Sequence, residues 1–117
     1  MIIGGIAAVL YGVPRATFDL DILIEPTVEN GQNLLDALLD AGLGTAALTT
    51  VEELLAHEIT IFRDKVRIDV QTFTPGLIFE QAWAEKEEMN YGGQLFYVVS
   101  RDHLITSKKC GRTRTRY

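Results

Sequence analysis

The chain is poor in several things, and each shortage excludes a class of protein. It has one cysteine, Cys110, in 117 residues, so an intrachain disulfide and a cysteine-based zinc site are both ruled out, and a reducing cytoplasmic compartment is expected. Its two histidines, His57 and His103, have no partner at metal-ligand spacing and are expected to be structural. No apolar run approaches the roughly 18 residues that a membrane span needs, so no membrane partner is expected. The N-terminal MIIGGIAAVLYG is apolar but lacks a basic leading region and a small-residue cleavage site, so no signal peptide is read there. Repeats, low-complexity tracts and linkers are absent, as are the Walker motif and the G-x-G-x-x-G dinucleotide fingerprint.

What is present is the make-up of one ordinary globular domain: 47% hydrophobic residues, 23% charged, and a mean hydropathy of +0.10. The net charge is −5, unevenly spread. Residues 1–100 hold 15 acids against 5 Lys or Arg, and residues 101–117 hold 6 Lys or Arg against Asp102 alone. A basic C-terminal tail over 108–117 is expected; it suits either a phosphate-bearing partner or a solvated chain end. The acidic body argues against broad nucleic-acid binding.

The pattern predicts β-α-β-α-(α)-ββ-α-ββ-α, a mixed sheet covered by helices. IIGG reads as a short strand ending in a Gly-Gly turn, and IAAVLYG as a short helix closed by Gly12 and Pro14. ATFDLDILIEP is a strand stopped by Pro26. VENGQNLLDALLDAG places Leu34, Leu35, Leu38 and Leu39 at helical spacing, and VEELLAH is a second, shorter helix. EITIF and KVRIDVQTF form a hairpin about Arg63-Asp64. LIFEQAWAEKEE is helical, with Trp83 expected in the core. EEMNY and QLFYVVS flank the hairpin turn Gly92-Gly93, and Ser100 caps a last helix, RDHLITSKK.

Two aspartates interrupt the second strand. Strand alternation puts Phe18, Leu20, Ile22 and Ile24 on one face and Asp19 and Asp21 on the other, roughly 7 Å apart at Cα. RIDV repeats the arrangement: Val66, Ile68 and Val70 face one way, and Asp69 the other with Arg67 and Gln71. If the two strands are neighbours, three carboxylates converge. Such a cluster repels itself unless cations sit within it, and all-oxygen donors suit Mg²⁺ or Mn²⁺. A lone D-x-D is a weak signal, since most such pairs are simply solvent-facing residues of a half-exposed sheet.

The wider stretch GGIAAVLYGVPRATFDLDILI is followed by RIDV, whose Asp69 comes 48 residues after Asp21. Together they resemble the nucleotidyltransferase superfamily typified by DNA polymerase β. The wording is closest to small prokaryotic members such as AbiEii-type toxins and minimal nucleotidyltransferases of toxin–antitoxin pairs. VVSRDHLITSKKCGR is similar to the stretch that closes the core in these relatives. The resemblance implies an α/β fold of the polymerase β palm type. It also implies metal-dependent transfer of a nucleoside monophosphate from an NTP to a hydroxyl on an RNA 3′ end, a protein side chain or a small molecule.

In that reading Asp19, Asp21 and Asp69 are the catalytic metal ligands, and Asp69 helps to activate the acceptor hydroxyl. Gly4 and Gly5 offer backbone N–H groups to the triphosphate. Arg15, Lys108 and Arg112 are the remaining nucleotide-binding candidates, with ion pairing inside the fold the other role open to Arg15; Thr17 would be a supporting strand residue. Relatives usually carry residues before the Gly-Gly strand, and many continue past the Gly-Arg. The short chain therefore suggests either a minimal catalytic module working with a partner chain or as a homodimer, or a shortened, non-catalytic copy that binds a partner or a nucleotide.

Overall fold

A computed structural model describes the backbone of residues 1–14 and 19–114, with side chains up to residue 110. The predicted Phe18, like Arg15 and Thr17, lies outside the described residues, as does the end of the chain past 114. The elements are β1 (Ile2–Ile3), α1 (Gly4–Leu10), β2 (Asp19–Leu23), α2 (Val28–Asp40), a short 3-10 helix (Gly44–Leu48), α3 (Val51–Ala56), β3 (Ile59–Arg63), β4 (Arg67–Gln71), α4 (Phe79–Ala84), β5 (Glu87–Tyr91), β6 (Gln94–Val98) and α5 (Arg101–Arg114). The architecture is mixed α/β. Six strands form one sheet in the order β3-β4-β2-β1-β6-β5. The β2–β4 and β1–β6 pairs are parallel and the others antiparallel.

Period-two alternation divides the apolar residues between two cores. Leu20 and Ile22 of β2, with Ile24 just past its end, join Ile68 and Val70 of β4, Phe62 of β3, and Leu35, Leu38 and Leu54 of α2 and α3. Leu23 turns the other way and packs with Ile3, Ala7, Ala8, Val98, Val99 and Leu104, under α1 and α5. Val70, Val98, Val99 and Leu54 are fully buried, each worth about 1.5–3 kcal/mol of hydrophobic stabilisation. Helix α2 starts where Thr27 accepts a hydrogen bond from the Asn30 N–H at 3.2 Å, the expected N-cap chemistry. Ser100 does the same for the His103 N–H at 3.1 Å.

Local chemistry moves some boundaries from the sequence expectation. Arg63 still belongs to β3 and pairs with Arg67, so the turn is Asp64–Val66. The Asp64 carboxylate holds that turn by accepting from Lys65 N at 2.9 Å and from Thr45 N at 3.1 Å, the usual service of aspartate in turns. Val66 is consequently an exposed turn residue, not part of the apolar face of β4. The helix expected over 77–88 is confined to Phe79–Ala84. Gly92 and Gly93 both have positive φ, 58° and 85°, which sets a tight hairpin with Tyr91 opposite Gln94, and the ladder that follows recruits Glu87.

Two buried-residue expectations also shift. Leu39 is exposed and Leu34 half-buried, leaving Leu35 and Leu38 as the buried stripe of α2. Trp83 lies at the surface rather than in the core. It stacks on Phe79, meets Tyr97 edge-on, and carries Lys86 over its ring at 4.1 Å. Helix α5 runs past the expected RDHLITSKK to Arg114, and residues 115–117 of the basic tail lie outside the described residues.

Candidate functional site: a carboxylate patch on two parallel strands

The parallel register of β2 and β4 places Asp19 opposite Arg67 and Asp21 opposite Asp69. Because partners in register share a face, four charged side chains form a two-by-two array on one side of the sheet. The three predicted aspartates are therefore brought together. The side chain of Asp69 is 14% exposed, against 46% for Asp19 and 37% for Arg67. Ile61 of β3, exposed and opposite Asp69, gives the patch an apolar flank.

Arg67 is the dominant cation of the array. Its Nε donates to Asp69 Oδ1 at 2.9 Å and its Nη2 to Asp69 Oδ2 at 3.1 Å. This is a two-pronged, charge-assisted fork of the strong kind. The same Nε lies 3.8 Å from Asp19 Oδ2, across the strands. The sequence placed Arg67 on the face of Asp69 but gave it no role. The available signal was the R-x-D spacing, which on a strand puts both side chains on one face.

Asp21 stands on the other flank, where β2 meets β1 and Ile3 is its partner. Its carboxyl is raised to about 6, first by burial, then by the charges of Asp69 and Asp19, with Arg67 opposing and a hydrogen bond to Asp69 adding to the rise. Beside it, Gly4 opens α1 with φ +69°, and a Cβ there would sit 2.2 Å from Asp21 Oδ2. A side chain at position 4 and the carboxylate of Asp21 cannot share this space. The glycine that begins the predicted turn thus makes room for the carboxylate. Gly5 follows in the first turn of the same helix.

The other candidates are less closely tied to the patch. Lys108 is half-buried on α5, a helix that packs against α1 rather than belonging to the strands that carry the aspartates. Arg15 and the side chain of Arg112 lie outside the described residues. The cavity of about 540 Å³ between the end of β2, α2 and α4 is lined by Ile24, Asn33, Leu34, Phe79 and Trp83 among others, and takes in none of the three aspartates.

Among the described residues, no three Asp, Glu, His or Cys side chains are arranged to hold a metal as they stand. The fork explains this for Asp69, since Arg67 engages both of its oxygens. The donors of the patch are carboxylate oxygens, the donor class that Mg²⁺ and Mn²⁺ take, and in the structure the positive charge beside them is supplied by Arg67. No family model, curated protein or solved structure matches the chain. No helix of the described residues is long and apolar enough to cross a membrane.

Proposed function

We propose that the chain is a metal-dependent nucleotidyltransferase core of the polymerase β palm type, moving a nucleoside monophosphate from an NTP to a hydroxyl acceptor. The observation that carries this reading is the meeting of Asp21 and Asp69 across parallel strands with Gly4 closed against Asp21. It joins in space the three parts that the sequence resemblance requires, although they are up to 65 positions apart (69 − 4).

In this reading Asp19, Asp21 and Asp69 hold Mg²⁺ or Mn²⁺. When bound, the metal supplies charge neutralisation on the phosphates and polarises the reacting oxygen. The chain's own residues do the rest. The strands fix the carboxylates in one plane, Gly4 lets the start of α1 approach them, and Asp69 is the carboxylate that faces the acceptor proton. Lys108, with Arg15 and Arg112, supplies positive charge toward the triphosphate. RNA, a protein hydroxyl and a small molecule are the acceptor classes that this site admits, and a partner chain or a second copy would complete their selection.

Calorimetric titration with each of the four NTPs and Mg²⁺, on the wild type and Asp21→Ala, tests the proposal. Heat of binding that requires both the metal and Asp21 supports it. A folded wild type that binds no NTP with Mg²⁺ present sinks the enzyme reading for this chain.

A further inference from the structure

We propose that the outer edge of β3 is a self-pairing interface: two copies of the chain join their sheets antiparallel through Ile59–Arg63, with Thr60 on the two-fold axis. The interface does not depend on the chemistry of the carboxylate patch, and it continues that face of the sheet rather than covering it.

Strand β3 ends the six-stranded order and, among the described residues, pairs only with β4. Thr72 N donates to the Glu58 carbonyl at 2.9 Å. Antiparallel alternation then turns the backbone groups of Glu58, Thr60 and Phe62 toward β4, and those of Ile59, Ile61 and Arg63 outward. Such edges are ordinarily guarded by charge, proline or a bulge. At the other end of the sheet β5 has that guard in exposed Glu87 and Glu88. In contrast, β3 presents Ile59 and Ile61, 49% and 42% exposed, on a ladder that runs without a bulge.

The occupant that fits this edge is its own copy. EITIFR is acidic at its start and basic at its end, so antiparallel pairing brings Arg63 of each copy to the Glu58 end of the other. With Thr60 on the axis, Ile59 lies opposite Ile61 of the second copy on both sides of it. Each of these outward-turned pairs exchanges both backbone hydrogen bonds. Glu58 falls opposite Phe62, so no like charges are opposed. Thr60 meets itself at the close spacing of about 4.5 Å between Cα atoms. Its Oγ1 has no hydrogen-bond partner among the described residues, and cross-strand Thr–Thr pairs are favourable. Moving the axis to Ile61 would instead set Glu58 against Asp64, two acids, and Ile59 against Arg63. A five-residue strand on each side is a small contact, of the class that associates weakly and reversibly.

Sedimentation of wild type from about 1 μM to about 1 mM, a span that resolves weak association, tests the proposal. The mean mass is expected to rise toward twice that of one chain. Ile61→Lys places a charge on the self-pairing edge and should weaken the dimer by roughly tenfold or more. A dimer that folded Ile61→Lys leaves intact lies elsewhere and overturns the proposal. In a Cys110→Ser background, Thr60→Cys should cross-link the two copies under mild oxidation, while Arg63→Cys, far from its own copy in this register, should not. Equal cross-linking at both positions, or none at Thr60, overturns the register.

Hydrogen exchange of wild type needs no variant. The Ile59 and Ile61 amides should exchange more slowly in concentrated than in dilute protein. A monomer throughout, with those amides equally fast at both concentrations, overturns the proposal and leaves the edge to an extended strand of a different protein.

Discussion

The molecule carries two clusters with the same inventory, three carboxylates and one arginine, and they behave differently. One is the strand patch of Asp19, Asp21, Asp69 and Arg67. The other surrounds a cavity of about 350 Å³ lined by Tyr11, Glu85, Glu87, Ser100, Arg101 and Asp102. In the second, Arg101 lies over the Tyr11 ring at 5.1 Å, Glu87 accepts a very short hydrogen bond from the Tyr11 hydroxyl, and Glu85 meets His103 Nδ1 at 3.2 Å. Its acids are all exposed, and Glu85 and Glu87 have separate partners, so no two of them are forced together. On β2 and β4 the backbone ladder forbids that escape, because each carboxylate leaves a pleat whose position the sheet fixes. The difference lies in the rigidity of what holds the charges, not in their number.

The comparison breaks most completely if position 4 is filled. Gly4→Val must adopt φ +69° with a Cβ that meets Asp21 Oδ2 at 2.2 Å, so the carboxylate or the start of α1 has to move. A loss of about 3 kcal/mol or more in denaturant unfolding is expected, combining left-handed strain with a displaced half-buried charge. Gly93→Ala is the control. Its φ is +85° but no atom lies within 4 Å of the added Cβ, so only the conformational cost of about 1–2 kcal/mol should appear. Equal losses at the two positions would show that Gly4 is a turn residue and nothing more.

A smaller effect comes from the proton on Asp21. Its carboxyl is raised from 3.8 to about 6 in the fold, so the folded protein binds this proton more tightly than the unfolded chain does. The associated stability is fully present below about pH 4, is lost as pH rises to about 6, and stays lost above it. Asp21→Asn keeps the neutral form at every pH. Its stability relative to wild type should rise by about 1–2 kcal/mol between pH 4 and 7, the shift being discounted for partial exposure. A flat difference curve would mean that the patch is solvated like the second cluster. Divalent metal should shrink the difference by favouring the ionised wild type.

Much of this was legible in the residues. The alternation of DLDIL and RIDVQ fixed which side chains share a face, and Ser100 and Gly92-Gly93 marked their cap and turn by chemistry that acts within a few positions. The register of β2 against β4 was not legible, because a parallel pair is joined by a long crossover and no turn dictates its offset. Nor was the state of Asp69: R-x-D is as good a solvent-facing spacing as a paired one, and only the array shows that the fork forms. Helix α4 was overdrawn because EKEE favours helix locally while the hairpin's ladder claims Glu87. Trp83 looked like core for its size, yet its site between Phe79, Tyr97 and Lys86 is a surface cluster.

The smallest effect is expected at the second cluster, and it sharpens the contrast. The Tyr11 phenol is pushed above its ordinary range, first by burial, then by its hydrogen bond to Glu87 and by the charge of Glu87, with Arg101 opposing. Glu87→Gln removes the charge and keeps a hydrogen-bond acceptor. Ultraviolet titration of tyrosinate should then find Tyr11 ionising at lower pH than in wild type. Stability at pH 7 should change by about 0.5 kcal/mol or less, because the single hydroxyl proton still has the Val99 carbonyl as an acceptor at 2.7 Å and a neutral partner replaces an exposed charged one. A loss of stability as large as the change in Asp21→Asn would show that these exposed acids are as tightly constrained as the strand aspartates. Backbone rigidity would then no longer distinguish the two clusters.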